Sequence, residues 1–114
     1  NDLKNDQYVE YYSHSYDMHH IGHLPYKKKI ETMTTNEIKR DFEKNKGLVS
    51  TDYLAFPYGV SCQNAQDYLK SSSVKLAFSY NQNRHMTRND KQYLLPRYLM
   101  FSNMPFPLFK WWIE

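Results

Sequence analysis

A single cysteine, Cys62, excludes an internal disulfide framework, and with only 3 glycines and 5 prolines the chain is no collagen-like or linker-like polymer. No uninterrupted apolar run approaches the roughly 20 residues that a membrane-spanning helix needs. No signal-peptide pattern opens the chain, which fits a cytosolic protein or one whose front has been removed. Charge of one sign is also scarce. The 15 basic and 12 acidic residues leave +3 with histidine neutral, and they are interspersed except at Lys27-Lys28-Lys29. A nucleic-acid binder concentrates its basic residues in a stripe, so no nucleic-acid partner is expected. What is present is apolar: 40% hydrophobic and 17% aromatic residues in 114 support one packed domain, leave no room for two, and exclude a wholly disordered chain.

Periodicity predicts an alternation of strands and helices. Tyr8–Tyr12 reads as a strand that runs into a long loop ending near Met33. Thr34 and Glu37 form a capping box ahead of Ile38 and Phe42 at helical spacing, and Gly47 closes that helix. Asp52–Phe56 is a second strand stopped by Pro57-Tyr58-Gly59, and Ala65, Tyr68 and Leu69 share one face of a helix from about Ser61 to Ser71. Val74–Tyr80 is a third strand, and a polar loop from Asn81 to Gln92 leads to a fourth within Tyr93–Phe101, with Pro96 near its start or at an irregular spot. Phe106–Ile113 is a terminal helix with Phe109, Trp112 and Ile113 on one side. This order implies an α/β fold with parallel pairing. A parallel sheet needs cover on both faces, and three helices supply it only marginally, so a further covering segment is expected.

Four of the five histidines, His14, His19, His20 and His23, fall within ten residues, directly after the first strand. Ligand sites in parallel α/β folds lie at the carboxyl ends of strands, so this cluster is aimed at one. His14 and His19 would face opposite sides of an extended strand and diverge by about 140° on a helix. They converge on one ion only if Ser15-Tyr16-Asp17-Met18 forms a turn. Two neutral imidazoles plus a carboxylate and an open water position make a catalytic zinc site. Solvated loop histidines satisfy the same composition, and spacing leaves both readings open.

Ser13-His14-Ser15-Tyr16-Asp17-Met18-His19 resembles the His-[Ser/Thr]-x-x-x-His motif of the polysaccharide deacetylases, the NodB-homology carbohydrate esterases, in the spacing of their poly-N-acetylglucosamine de-N-acetylase branch. Phe56-Pro57-Tyr58-Gly59 resembles that family's aromatic-Pro-Tyr-Gly segment at the end of the next strand. Arg88-Asn89-Asp90 and Leu95-Pro96-Arg97 are similar to its Asp and Leu-Pro-Arg elements before a late strand. The resemblance covers nearly all of the chain and implies that residues 1–114 are the C-terminal portion of one deacetylase domain, a partial (β/α) barrel. It implies a divalent metal, zinc first among the choices, held by His14 and His19. It also implies an oxyanion donor in the backbone N–H of Tyr58, and a sugar pocket shaped by Pro57, Tyr58 and Gly59. The partner would be an N-acetylglucosamine polysaccharide outside the cell or in its wall.

Two family elements have no counterpart. The Thr-Phe-Asp-Asp-Gly-like segment that supplies two aspartates does not occur, and no histidine falls near Phe101-Ser102-Asn103, where the family places a general acid. The 114 residues alone are therefore expected to lack turnover. Arg97 would partner either the absent base aspartate or Asp90, or be an ordinary surface arginine. The lysine triplet attracts an anionic polymer or is simply solvated. Asp17 belongs to the turn, His85 to a solvated loop, Trp112 to the core, and Cys62 is inert for want of a placed histidine. Two other readings remain open: a non-catalytic carbohydrate-binding or scaffold relative, and an unrelated module whose histidine-rich loop stores or senses metal.

Overall fold

A computed structural model describes residues 5–21, 27–82, 84–98 and 100–114, with 81 and 82 described in backbone only. The elements in chain order are β1 (Tyr12–Ser13), α1 (Lys29–Thr32), α2 (Thr35–Lys46), β2 (Ser50–Ala55), α3 (Gln63–Lys70), β3 (Leu76–Gln82), β4 (Leu95–Arg97) and α4 (Phe106–Ile113), with a short 3-10 turn at Pro57–Gly59 between β2 and α3. The four strands pair in parallel in the order β1-β2-β3-β4 and leave the sheet open, an α/β arrangement consistent with part of a barrel.

Local chemistry sets the helix ends. Thr34 Oγ1 accepts from the Glu37 amide and the Glu37 carboxylate accepts from the Thr34 amide, so two otherwise orphaned donors are satisfied at the start of α2. Gly47 sits at its far end, as the sequence predicts. The first strand is much shorter than predicted. Tyr8 and Tyr11 are exposed and unpaired in the sheet, and only Tyr12 and Ser13 meet β2, with an irregular step between them. The single turn of α1 was not foreseen, since Lys29–Thr32 offers one buried apolar residue, Ile30, and no periodicity. Pro96 falls inside β4, an edge strand, where a missing N–H is tolerated.

Alternation along β2 and β3 gives the sheet two unlike faces. Leu54 and Ala77 are buried with Ile38, Phe42, Ala65 and Leu69 under α2 and α3, together with Met18 and Ile30. On the opposite face Tyr12, Tyr53, Ala55, Leu76 and Phe78 line an apolar depression and stay only partly covered. In α4 only Trp112 is buried, stacked on Tyr98 at 5.0 Å between ring centres. Phe109 and Ile113, predicted on the same apolar side, are exposed.

Candidate metal centre

Parallel pairing brings the carboxyl ends of all four strands to one edge, and the residues singled out above lie there: His14 after β1, Pro57–Gly59 after β2, and Arg97 at the end of β4. The chain does turn between His14 and His19. Ser15 takes a left-handed conformation, φ 71°, and its Oγ accepts from the Met18 amide. Met18 is driven into the core, 1% exposed. The turn leaves the rings of His14 and His19 5.4 Å apart, centre to centre, inclined at 45°. An ion about 2.0–2.1 Å from one nitrogen of each ring, at a tetrahedral angle, sets two ring centres roughly 5 Å apart. The separation fits.

His14 is also fixed in tautomer. Its Nδ1 lies 2.8 Å from the carbonyl oxygen of Ala55, the last residue of β2. A carbonyl only accepts, so Nδ1 carries the hydrogen and Nε2 keeps a lone pair, the arrangement in which a metal-binding imidazole is held by its second nitrogen. Partial burial pushes the His14 pKa below the ordinary 6.5, against the opposing pull of the Ala55 carbonyl, and the neighbouring His19 and Arg97 lower it further. The neutral, ligating form is thereby favoured at neutral pH.

His19 stacks on Tyr58 at 4.1 Å between ring centres, inclined by 23°, and the Tyr58 hydroxyl donates to the His19 carbonyl at 3.4 Å. Lys28 lies over the same Tyr58 ring, 4.2 Å from its centre. Tyr58 itself is left-handed, φ 55°, and Gly59 follows at φ 66°. A Cβ at Gly59 would overlap the Cβ and backbone nitrogen of Tyr80, so glycine is required by the close approach of β3. Among the described residues, the hydrogen bonds that close this turn use the amides of Gly59 and Val60, donated to Phe56 and Pro57, and not the amide of Tyr58.

Arg97 donates Nε–H to Ser79 O at 3.0 Å and Nη2–H to Phe56 O at 2.9 Å, and its guanidinium lies over Tyr80 at 4.5 Å. The proposed pairing with Asp90 is corrected by the structure: the Asp90 carboxylate is taken by Arg84 and by the amide of Thr87, which hold its pKa well below the carboxylate range. Arg84 reaches both carboxylate oxygens of Asp90 with its two terminal nitrogens, while the guanidinium of Arg97 is turned to the Ser79 and Phe56 carbonyls. Among the described residues no carboxylate pairs with Arg97.

Asp17 is part of the turn, as predicted, and its carboxylate is engaged by Lys29 and His20. It accepts from Lys29 Nζ at 2.9 Å and from His20 Nε2 at 2.6 Å. Those contacts lower its pKa, Lys29 first and His20 second. Among the described residues no group of three histidine, cysteine, aspartate or glutamate side chains gathers where it could hold an ion. His14 and His19 would thus supply two of the ligands an ion needs, with no third placed beside them among the described residues. His23 lies outside the described residues. His85 is exposed and meets Tyr98 edge-on at 5.7 Å, and Cys62 donates its thiol to the Ile30 carbonyl at 3.2 Å.

One residue of consequence was missed. Asp41 of α2 is buried and accepts the amides of Tyr16 and Asp17 through Oδ1 and Oδ2, each at 2.7 Å. A signal for it existed. Ile38, Asp41, Phe42 and Asn45 occupy one helical face, and two polar residues on a face otherwise reserved for the core need partners.

No protein-family model matches the chain, and no solved structure matches it significantly. Among curated proteins it is similar to a poly-beta-1,6-N-acetyl-D-glucosamine N-deacetylase of Staphylococcus aureus (strain MRSA252), 25% identical over 109 residues. The match takes in 90% of this chain and 37% of that protein, so the chain spans little more than a third of the relative's length.

Proposed function

We propose that this chain contributes the metal-binding and substrate-rim portion of a hydrolase that removes N-acetyl groups from N-acetylglucosamine units of a polysaccharide outside the cell or in its wall. The observation that carries this reading is the convergence of His14 and His19 at the carboxyl edge of a parallel sheet, with His14 locked as an Nδ1–H tautomer by Ala55. The likeness to the staphylococcal deacetylase supports the substrate class.

In this reading His14, through Nε2, and His19 hold a divalent ion, zinc by preference for two imidazoles, with the remaining protein ligand outside the described residues of this chain. A bound ion of this kind polarises the acetamide carbonyl and makes its water acidic. The chain's own contributions follow from the rim. The Tyr58 N–H, which the turn does not use, donates to the oxyanion that develops when water adds to the carbonyl. Tyr58 and Gly59, which stay partly exposed, form the wall against which the sugar ring is placed, and Pro57, which is buried, stiffens the turn behind them. Arg97, a half-buried cation that meets two carbonyls and the Tyr80 ring and pairs with no carboxylate among the described residues, holds the base carboxylate in its ionised form. With two imidazoles and no carboxylate gathered beside them among the described residues, the 114 residues by themselves turn over slowly or not at all.

A second reading, a non-catalytic carbohydrate-binding relative, is favoured by the lack of a three-ligand group among the described residues. One experiment separates them. Zinc titration of the chain should show one ion bound, with affinity falling about a hundredfold or more in His14→Ala and His19→Ala and no more than about threefold in His20→Ala. Binding of β-1,6-linked N-acetylglucosamine oligomers should then strengthen with zinc. Oligomer binding indifferent to zinc would establish the scaffold reading, and equal losses in all three variants would establish a metal-storing loop.

A further inference from the structure

The segment between the two facing histidines has a cost. Ser15 is left-handed without being glycine, a conformation that disfavours the turn unless something holds it. Two consecutive amides, those of Tyr16 and Asp17, point inward toward α2 rather than outward to water. Asp41 meets both. Its carboxylate is 7% exposed as a residue, and among the described residues it pairs with no cation, so its partners are the two amides. Burying a carboxylate is unfavourable unless its oxygens are hydrogen-bonded, and Asp41 satisfies one lone pair on each oxygen by gripping the turn. No neutral side chain does this. Asparagine offers one acceptor oxygen and, in place of the other, an NH2 that repels the second amide.

Resting on the metal reading given above, we infer that Asp41 is the positioning residue of the metal centre: a carboxylate fork on α2 that fixes the Tyr16–Asp17 amides and thereby the angle between His14 and His19. It touches neither ring. Met18 pins the turn from the core side and Asp41 from the helix side, so the approach of the imidazoles is set before any ion arrives. Such supporting groups around a metal typically contribute about 10–100-fold to affinity.

The test uses the whole 114-residue chain with Co2+ as the probe, bound metal being read from its visible absorption, and hydrogen exchange of individual amides. Asp41→Asn should weaken Co2+ binding at least tenfold and speed exchange at Tyr16 and Asp17, leaving Leu54 and Ala77 protected. Asn45→Ala, also buried and one turn further along α2, should leave both readouts unchanged. If Asp41→Asn does not fold, Asp41→Glu carries the same comparison, its two acceptors kept but displaced. Unchanged exchange at Tyr16 and Asp17 in the folded variant overturns the inference, as does undiminished Co2+ affinity. Failure of the unaltered chain to bind Co2+ would instead sink the metal reading. Exchange at the two amides would then still decide whether Asp41 holds the turn.

Discussion

His14 and His20 stand six residues apart on the same turn, and their rings meet different partners. His14 gives its Nδ1–H to a backbone carbonyl at the end of β2, a group fixed by the sheet. His20 places Nε2 against the Asp17 carboxylate, itself exposed and shared with Lys29. An ionised carboxylate accepts, so the hydrogen sits on Nε2 and His20 keeps its free lone pair on Nδ1, where His14 keeps it on Nε2. What separates the two is the neighbour: the His14 ring lies 5.4 Å from that of His19, centre to centre, whereas His20 shares an exposed carboxylate with Lys29. Density of histidines says where to look, and the rings that the fold brings together say which of them can act as a pair.

The largest expected effect breaks the site on the side of His19, through the turn that carries Tyr58. Gly59→Ala forces a side chain into a left-handed position and into the Tyr80 backbone, and should destabilise the chain by about 2 kcal/mol or more in urea unfolding. It should also loosen zinc binding, because Tyr58 is the ring on which His19 stacks. Gly47→Ala, where an added methyl meets nothing within 4 Å, should stay within about 0.5 kcal/mol and leave zinc affinity alone.

A smaller effect sharpens the comparison through pH. Folding lowers the His14 pKa from 6.5, so the unfolded chain binds the proton more readily. Stability therefore rises with pH across the interval below 6.5, and the contribution of His14 is complete above that value. It is lost as the pH falls through the folded-state pKa. Thermal unfolding between pH 7.5 and 5 should show that slope, and His14→Gln should remove its share. A slope unaltered by the substitution would mean that the ring is not desolvated as described.

How much of this could be read from the residues varies with the range of the interaction. The capping box at Thr34 and Glu37, the stop at Pro57 and the bounds of α4 are local, and the structure has them where the sequence puts them. The turn between His14 and His19 was required by geometry alone. What was illegible is what sequence spacing does not decide: that β1 pairs through only two residues, that Asp90 takes Arg84 rather than Arg97 at nearly equal separation, and that Asp41 reaches back across 25 residues to Tyr16. Ala55 is the clearest case. Nothing in its sequence context marks a carbonyl that sets the tautomer of a histidine 41 positions earlier.

The most direct measurement is the nitrogen spectrum of the imidazoles, recorded by long-range proton–nitrogen correlation during a zinc titration. Before zinc, His14 should be the Nδ1–H tautomer. On adding one equivalent, His14 Nε2 and one nitrogen of His19 should move to metal-bound positions, with the His20 resonances unchanged. If His14 is instead protonated at Nε2, or if His20 shifts as far as His14, the two rings are not a metal pair and the account is wrong.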